Sequence, residues 1–332
     1  MKIGFIPTEG GAFYREFFEE VLLGESLGFD SVWLEEHHGV KDHYWPSPLI
    51  GLAGITTRTE RIMFGTDIMV LPFYHPVRIA EDTAMLAAMS QGRFILGAAI
   101  GYRPEEFVLY QTPMEMRGAR FEEAIRLIRQ LWTQENVQFN GRFYQLNGGK
   151  IEPRPTQPPA LWLGGWGELS LQRAATLGDA WVPGPTAGME KLLEAQSFYK
   201  DCLSATGKDP ASIPTPLTRE VVIAETDEKA WEIAERHVLI NYRDEYGGGE
   251  WKHPLIGAED TARVDQIDAI SRDRFLVGSP DTVIRQLQRF KDAFGVDHLI
   301  CRLYFPGISH EFIMKELHLL AGEVMPAFCE ER

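Results

Sequence analysis

The sequence predicts an α/β fold, a single (β/α)8 TIM barrel with insertions, and three observations carry that prediction. Short apolar runs rich in β-branched residues alternate with longer amphipathic segments, the pattern of parallel strands joined by helices. The alternation repeats eight times over 332 residues, with no Pro/Gly/Ser-rich linker between units. The dinucleotide-binding signature of an open doubly wound sheet is absent, because Thr8-Glu9-Gly10-Gly11 lacks GxGxxG spacing.

Residues 2–7 read as the first strand, and 13–27 as a helix in which Phe17, Phe18, Val21, Leu22 and Leu27 recur at helical spacing. Gly28 follows, the residue type that best takes the left-handed turn after a helix. Residues 31–35 form the second strand, and 47–57 a helix opened by Ser47-Pro48, since the missing proline N–H costs nothing in a first turn. The third strand lies within 61–71 and its helix spans 76–89. Then come strand 94–99 with helix 117–132, strand 161–164 with helix 169–177, and strand 180–183 with helix 189–205. Strand 217–224 with helix 227–242, and strand 298–303 with helix 311–325, complete the eight units.

Two stretches break this rhythm. Residues 134–159 hold a hairpin over 137–146, with Asn140-Gly141 as its turn, and then a Pro-rich passage. Residues 244–274 carry Gly247-Gly248-Gly249 and dense mixed charge without a period. Loops this long inside a compact domain are lids or disordered segments, and a cover over the active-site mouth is the expectation here.

Composition narrows the partners. The formal net charge is -15, with 48 acidic against 33 basic residues, and no basic patch is concentrated anywhere. Such a chain repels nucleic acid and anionic membranes, so neither is expected as a partner. The N-terminus reads directly as a strand rather than a signal peptide, and no apolar stretch reaches the length of a membrane helix. Cys202, Cys301 and Cys329 form no CxxC pair. A cytoplasmic protein is the expectation.

In barrels the chemistry gathers at the C-terminal ends of the strands. The second strand ends in Glu35-Glu36-His37-His38, and alternation sets His37 on the face opposite Glu36 and His38. A lone histidine is commonly structural, whereas one at a barrel strand's C-terminal end points to proton chemistry. Glu36, His37, His38, His43 and His75 are metal ligands by type, but none shows HxH or HExxH spacing, so no metal is expected. Asp67, in an apolar third strand, needs a hydrogen-bond partner or a cofactor to contact. Gly164-Gly165-Trp166-Gly167 opens a helix containing Ser170, and a glycine turn feeding a helix N-terminus suits a phosphate. Arg117 and Arg120 begin the long helix after the fourth strand; either is placed to grip that phosphate or to pair on the surface.

Together these stretches are specific. Val32-Trp33-Leu34-Glu35-Glu36-His37-His38 resembles the VWL-x-EHH segment of the bacterial luciferase-like flavin-dependent monooxygenases. Val70-Leu71-Pro72, His75-Pro76-Val77-Arg78, Ala80-Glu81-Asp82 and the Met89-Ser90-Gln91-Gly92-Arg93-Phe94 run resemble that family's VLP, HPVR, AED and MSxGRF blocks. Val277-Gly278-Ser279-Pro280 resembles its VGTP/VGSP opening of the penultimate helix. The resemblance covers nearly the whole chain. It implies a barrel binding reduced FMN and often using O2, with His37 as the catalytic histidine and Glu36 as its preceding acid. It also implies a non-prolyl cis peptide at Asp67 and Ile68 beneath the isoalloxazine ring, and phosphate contacts from Arg120 and residues 166–170. Ala99 and Gly101 fall among its cofactor-contacting positions. Ala99 replaces the reactive cysteine of the light-emitting subunit, and Ile100 a phosphate-contacting arginine, so light emission is not expected.

The expected activity is therefore a monooxygenase acting on a small organic substrate. A separate flavin reductase and a homodimer are the expected partners, the latter because helix 76–89 is apolar nearly all round. A deazaflavin-dependent reductase or dehydrogenase, which would transfer hydride without O2, is the first alternative. A non-catalytic flavin-binding protein is the second, and a metal-dependent barrel hydrolase the last.

Overall fold

Strands covered on both faces are apolar throughout rather than alternating. Every residue of Pro216–Ile223 and of His298–Arg302 is buried, charged ones included. The computed structural model describes residues 1–10, 13–41, 44–242, 271 and 273–328. Its strands are β1 (Lys2–Ile6), β2 (Ser31–Leu34), β3 (Met63–Thr66), β4 (Met69–Val70), β5 (Phe94–Ala99), β6 (Val137–Asn140) and β7 (Gln145–Gly149). They continue as β8 (Ala160–Gly164), β9 (Ala180–Val182), β10 (Pro216–Ile223), β11 (Leu276–Gly278) and β12 (His298–Arg302). The helices are α1 (Tyr14–Leu27), α2 (Pro48–Thr56), α3 (Pro76–Met89), α4 (Pro104–Leu109) and α5 (Arg117–Thr133). After these come α6 (Glu168–Leu177), α7 (Met189–Ala205), α8 (Asp227–Asn241), α9 (Pro280–Phe294) and α10 (His310–Leu319).

The described chain falls into two compact units. One comprises Met1–Trp33, Pro183–Phe198 and Pro214–Arg332; the other, Leu34–Val182 and Tyr199–Ile213. In the first unit the strands run in the order β11-β10-β12-β1-β2, all parallel. In the second, β3, β5, β8 and β9 follow one another, again parallel. The eight expected strands thus appear in the α/β arrangement anticipated from the sequence. Gly28 adopts a φ of 91° behind α1, as its place after the helix required.

Four expectations need correction. The third strand is not continuous: β3 and β4 both pair with β5, but Gly65↔Ile95 is followed by Met69↔Ala98. The third-strand side therefore holds one residue more than β5, as in a bulge. The extra length falls at Asp67-Ile68, whose peptide bond is cis. The Thr66 hydroxyl repairs the gap, donating to the Gly97 carbonyl at 2.7 Å and accepting the Gly97 N–H at 3.0 Å. Gly97 must lack a side chain here, since a Cβ would fall 1.8 Å from the Thr66 carbonyl oxygen.

The hairpin does not turn at Asn140-Gly141. Asn140 pairs with Gln145, leaving residues 141–144 as the loop. Glu123 on α5 decides this, because its carboxylate accepts the N–H groups of Arg142, Phe143 and Tyr144 at 2.9, 2.9 and 3.3 Å. β11 and α4 were not anticipated. A three-residue strand is too short for periodicity, and pairing with Val221–Ile223 alone makes β11 one. The last helix stops at Leu319 and continues as a π turn, Leu320–Val324, and a 3-10 turn, Met325–Ala327. The expected cover over 244–274 lies outside the described residues except for Ser271, Asp273 and Arg274.

Candidate active site

Strand β2 ends at Leu34, whose carbonyl accepts the Asp67 N–H at 2.8 Å, and Glu35 then accepts the Trp45 N–H at 2.9 Å. These two bonds hold the chain extended through Glu36, His37 and His38. Alternation sends the side chains into two different environments.

Glu36 and His38 are sealed, at 2% and 6% exposure. The Glu36 carboxylate accepts the Val70 N–H, the Tyr74 hydroxyl and His38 Nε2, the last at 3.1 Å. Burial, then the adjacent Glu36 charge, pushes the Tyr74 phenol far above its ordinary range, so it remains a donor. His38 Nδ1 lies 3.0 Å from the Tyr110 hydroxyl. Burial, Glu36 and Glu106 raise the Tyr110 phenol as well. With a carboxylate at one nitrogen and a phenol at the other, His38 carries its proton on Nε2. Glu36 therefore acts by positioning, tying β2 to the start of β4's last residue and to His38. It is closed to any ligand.

His37 has the more open place. Its Nδ1 lies 2.7 Å from Glu106 on α4, and its Nε2 lies 3.1 Å from the Tyr102 hydroxyl. Tyr44 and Tyr102 meet its ring edge-on at centroid distances of 4.6 and 5.4 Å. The same Glu106 oxygen accepts the His38 N–H at 2.9 Å. Burial pushes the Glu106 carboxyl up, but the bond and charge of His37, the His38 N–H and the Arg103 charge outweigh it and hold the carboxyl below its ordinary value. An ionised Glu106 requires the His37 proton on Nδ1, which leaves Nε2 to accept from Tyr102. Neighbouring histidines thus hold opposite tautomers.

The cofactor positions fit a flat, phosphate-bearing ring system. Ile68 Cδ1 lies where a Cβ on Gly164 would approach to 2.6 Å, and the Ala99 methyl lies 3.8 Å from the same point. Ile68, just before β4, therefore lies beside Ala99 and Gly164, the last residues of β5 and β8, in one low surface. Gly101 takes a φ of 76° directly after β5, against Val70 and Phe107. Gly165 takes a φ of 123°, where a Cβ would strike the Ser170 Cβ at 2.7 Å. The Gly165 carbonyl is held by Trp181 Nε1 at 2.8 Å, and Trp166 packs edge-on against Trp181. Gly167, exposed, caps α6 without a side chain; the Ser170 N–H already donates to the Gly167 carbonyl at 2.8 Å, so the Glu168 and Leu169 N–H groups are the ones suited to an anion, with Glu168 as the first-turn acid. Ser170 is buried beneath Gly165.

Arg120 is engaged differently from expectation. Its guanidinium lies over the rings of Phe143 and Tyr144, 5.5 Å from each, and its Nε is buried without a hydrogen-bond partner. Arg117 donates to the Met114 carbonyl at 2.9 Å. His75 caps α3, accepting the Val77 N–H at 3.3 Å. His43 lies outside the described residues, and no group of three or more metal-binding side chains occurs among those described. No helix among them is long and apolar enough to cross a membrane.

Glu106, Tyr102 and Tyr110 are the site residues missed from sequence. Arg103-Pro104-Glu105-Glu106 contained the signal for the first of them. A proline at the start and acids in the first turn mark a helix N-terminus at a barrel strand's C-terminal end.

Comparison with known proteins places the chain in a family. The profile of the family described as luciferase-like monooxygenase matches residues 4–298. The chain is 29% identical over 325 residues to an F420-dependent glucose-6-phosphate dehydrogenase of Amycolatopsis mediterranei, covering 94% of each. It is 26% identical over 331 residues to the oxygenase component of the flavin-dependent trigonelline monooxygenase of Acinetobacter baylyi, covering 96% of this chain and 91% of that one. Among solved structures, the monooxygenase RslO1 from Streptomyces bottropensis superposes with a TM-score of 0.85 at 26% identity, over 99% of this chain and 100% of that one.

Proposed function

The chain belongs to the luciferase-like monooxygenase family and has its barrel fold class, and from that premise we propose an oxidoreductase that uses reduced FMN and O2 on a small organic substrate. The observation that carries this reading is the Glu106–His37–Tyr102 chain at the end of β2, a proton-handling group fixed in one tautomer. Bound reduced FMN supplies two electrons to O2. The surface of Ile68, Ala99 and Gly164 supports the ring, and the α6 N-terminus behind Gly164-Gly165-Trp166-Gly167 takes the phosphate. Glu36 keeps β4 and His38 in place, so the floor and the histidine face stay in register.

A second reading, hydride transfer with the deazaflavin F420, is favoured by the relative that is 29% identical over 94% of the chain. Anaerobic titration of the protein with reduced FMN and with reduced F420, followed by exposure to air, separates them. The first reading expects tight reduced-FMN binding and O2 consumption that becomes product-linked with substrate present. Tight F420 binding without O2 consumption would establish the second, and binding of neither would overturn both.

Delivery of reduced FMN by a separate reductase and pairing into a homodimer belong to the same proposal. Ile50 on α2 and Met85 and Met89 on α3 are 74%, 45% and 46% exposed, apolar surface that a second copy would cover. Sedimentation of the purified protein tests the dimer.

A further inference from the structure

Both nitrogens of His37 are occupied, one by Glu106 and one by Tyr102. No ring nitrogen remains to meet a substrate unless the Tyr102 hydroxyl leaves. Tyr102 is half-buried, and its hydroxyl is the member of the chain farthest along from Glu106. The inner end is closed, because Glu106 is 1% exposed and also holds the His38 N–H.

We propose that Tyr102, rather than His37, exchanges the proton with the reacting oxygen or substrate, with His37 as its relay and Glu106 as the positioning carboxylate. This rests on the oxidoreductase reading given above. In the donating direction His37 first takes a proton from solvent on Nε2, and the Tyr102 O–H proton then passes to the acceptor while His37 returns that Nε2 proton to the Tyr102 oxygen. Tyr102 is unchanged, and His37 ends neutral, its Nδ1–H still donated to the Glu106 carboxylate. In the abstracting direction the same two protons move the other way. Without substrate, the reaction served is that of anionic reduced FMN, O2 and one proton giving FMN and H2O2, and that proton comes through Tyr102.

The test uses the full protein loaded anaerobically with reduced FMN, the protein in excess, and mixed with O2. Tyr102→Phe keeps the ring beside His37 and removes only the hydroxyl. It is expected to bind reduced FMN as wild type does, to oxidise it about a hundredfold more slowly, and to lose the solvent deuterium isotope effect. If His37 acts directly, Tyr102→Phe frees Nε2, and an unchanged or faster rate with the isotope effect retained overturns the proposal. A second measurement needs no cofactor. In 15N NMR of the histidine rings, Tyr102→Phe should shift His37 Nε2 and leave Nδ1 protonated, while Glu106→Gln should release Nδ1. An unmoved Nε2 overturns the relay. Failure of the wild type to bind reduced FMN or F420, with the NMR shifts present, overturns the oxidoreductase reading instead.

Discussion

Two carboxylate–imidazole pairs in this protein share one length and differ in nearly everything else. His37 Nδ1 lies 2.7 Å from Glu106, and His310 Nδ1 lies 2.7 Å from Glu20. At the strand end, Glu106 is held below its ordinary value because two donors and a nearby arginine outweigh burial. Between α1 and α10, burial wins and the Glu20 carboxyl is raised, although the Thr8 N–H and hydroxyl and His310 all bond to it. Burial would lower His310, but bonds and charge from Glu20 and Glu19 raise it. Its second nitrogen faces the exposed Glu19 at 3.1 Å, where that of His37 faces a phenol. The same pair is thus a clamp between helices in one region and part of a Glu106–His37–Tyr102 hydrogen-bond chain in the other. What the second nitrogen meets, and whether it lies at a strand's C-terminal end, separates the two.

The sharpest way to break this comparison is to delete each histidine. His37→Gln should lower coupled product formation by about 100- to 10,000-fold, while reduced-FMN binding, followed by absorbance, persists. Retained coupling would remove His37 from the chemistry. Next in size is Glu36→Leu, which strands the Tyr74 hydroxyl, the Val70 N–H and His38 Nε2 in a sealed site. About 3–5 kcal/mol of stability should go, read by denaturant unfolding, and a loss within error of zero would show that Glu36 has no positioning role.

Gly165→Ala should cost about 1–3 kcal/mol, because φ is 123° and the new methyl meets Ser170. Thermal unfolding measures that cost, and reduced-FMN titration should show weaker binding beside it. His310→Gln should have the smallest effect, about 0.2–1 kcal/mol for a partly exposed pair, and should leave turnover at the wild-type rate. Its signature is in the pH dependence. A raised His310 contributes stability in full below its unfolded pKa of 6.5 and loses it as pH rises through the folded value. A raised Glu20 loses stability in the same direction, from 4.5 upward. Unfolding measured on both sides of neutrality should slope downward with pH in wild type, and the variant should lose the His310 part of that slope while the Glu20 part remains.

Much of this was legible before any coordinates. The strand at Phe94–Ala99 and the helices Pro76–Met89 and Met189–Ala205 have the boundaries that periodicity and proline placement implied. His37 and the glycine turn before α6 were found by their place at strand ends, and the cis Asp67-Ile68 peptide by the family resemblance. The site's second half was not found. Glu106 and Tyr102 stand 69 and 65 residues from His37, and nothing in their neighbourhood names the histidine they serve. Glu36 is acidic beside His37 in sequence, yet its carboxylate is buried and fully engaged by Val70, Tyr74 and His38. Arg120 stands at a helix start suited to phosphate, yet its contacts are two aromatic rings supplied by a hairpin.

The sequence by itself determined eight of the parallel strands and most of the helices between them, their order, the family, and the histidine at a strand end on which the proposed chemistry rests. Those follow from local periodicity, backbone preference and short contiguous patterns. Only the tertiary structure decided which nitrogen of His37 carries the proton, that His38 takes the opposite tautomer, and that the Tyr102 hydroxyl occupies the second nitrogen of His37. A tautomer is set by hydrogen-bond partners, and those partners arrive from α4 and the loop after β5, brought there by folding and not by proximity along the chain.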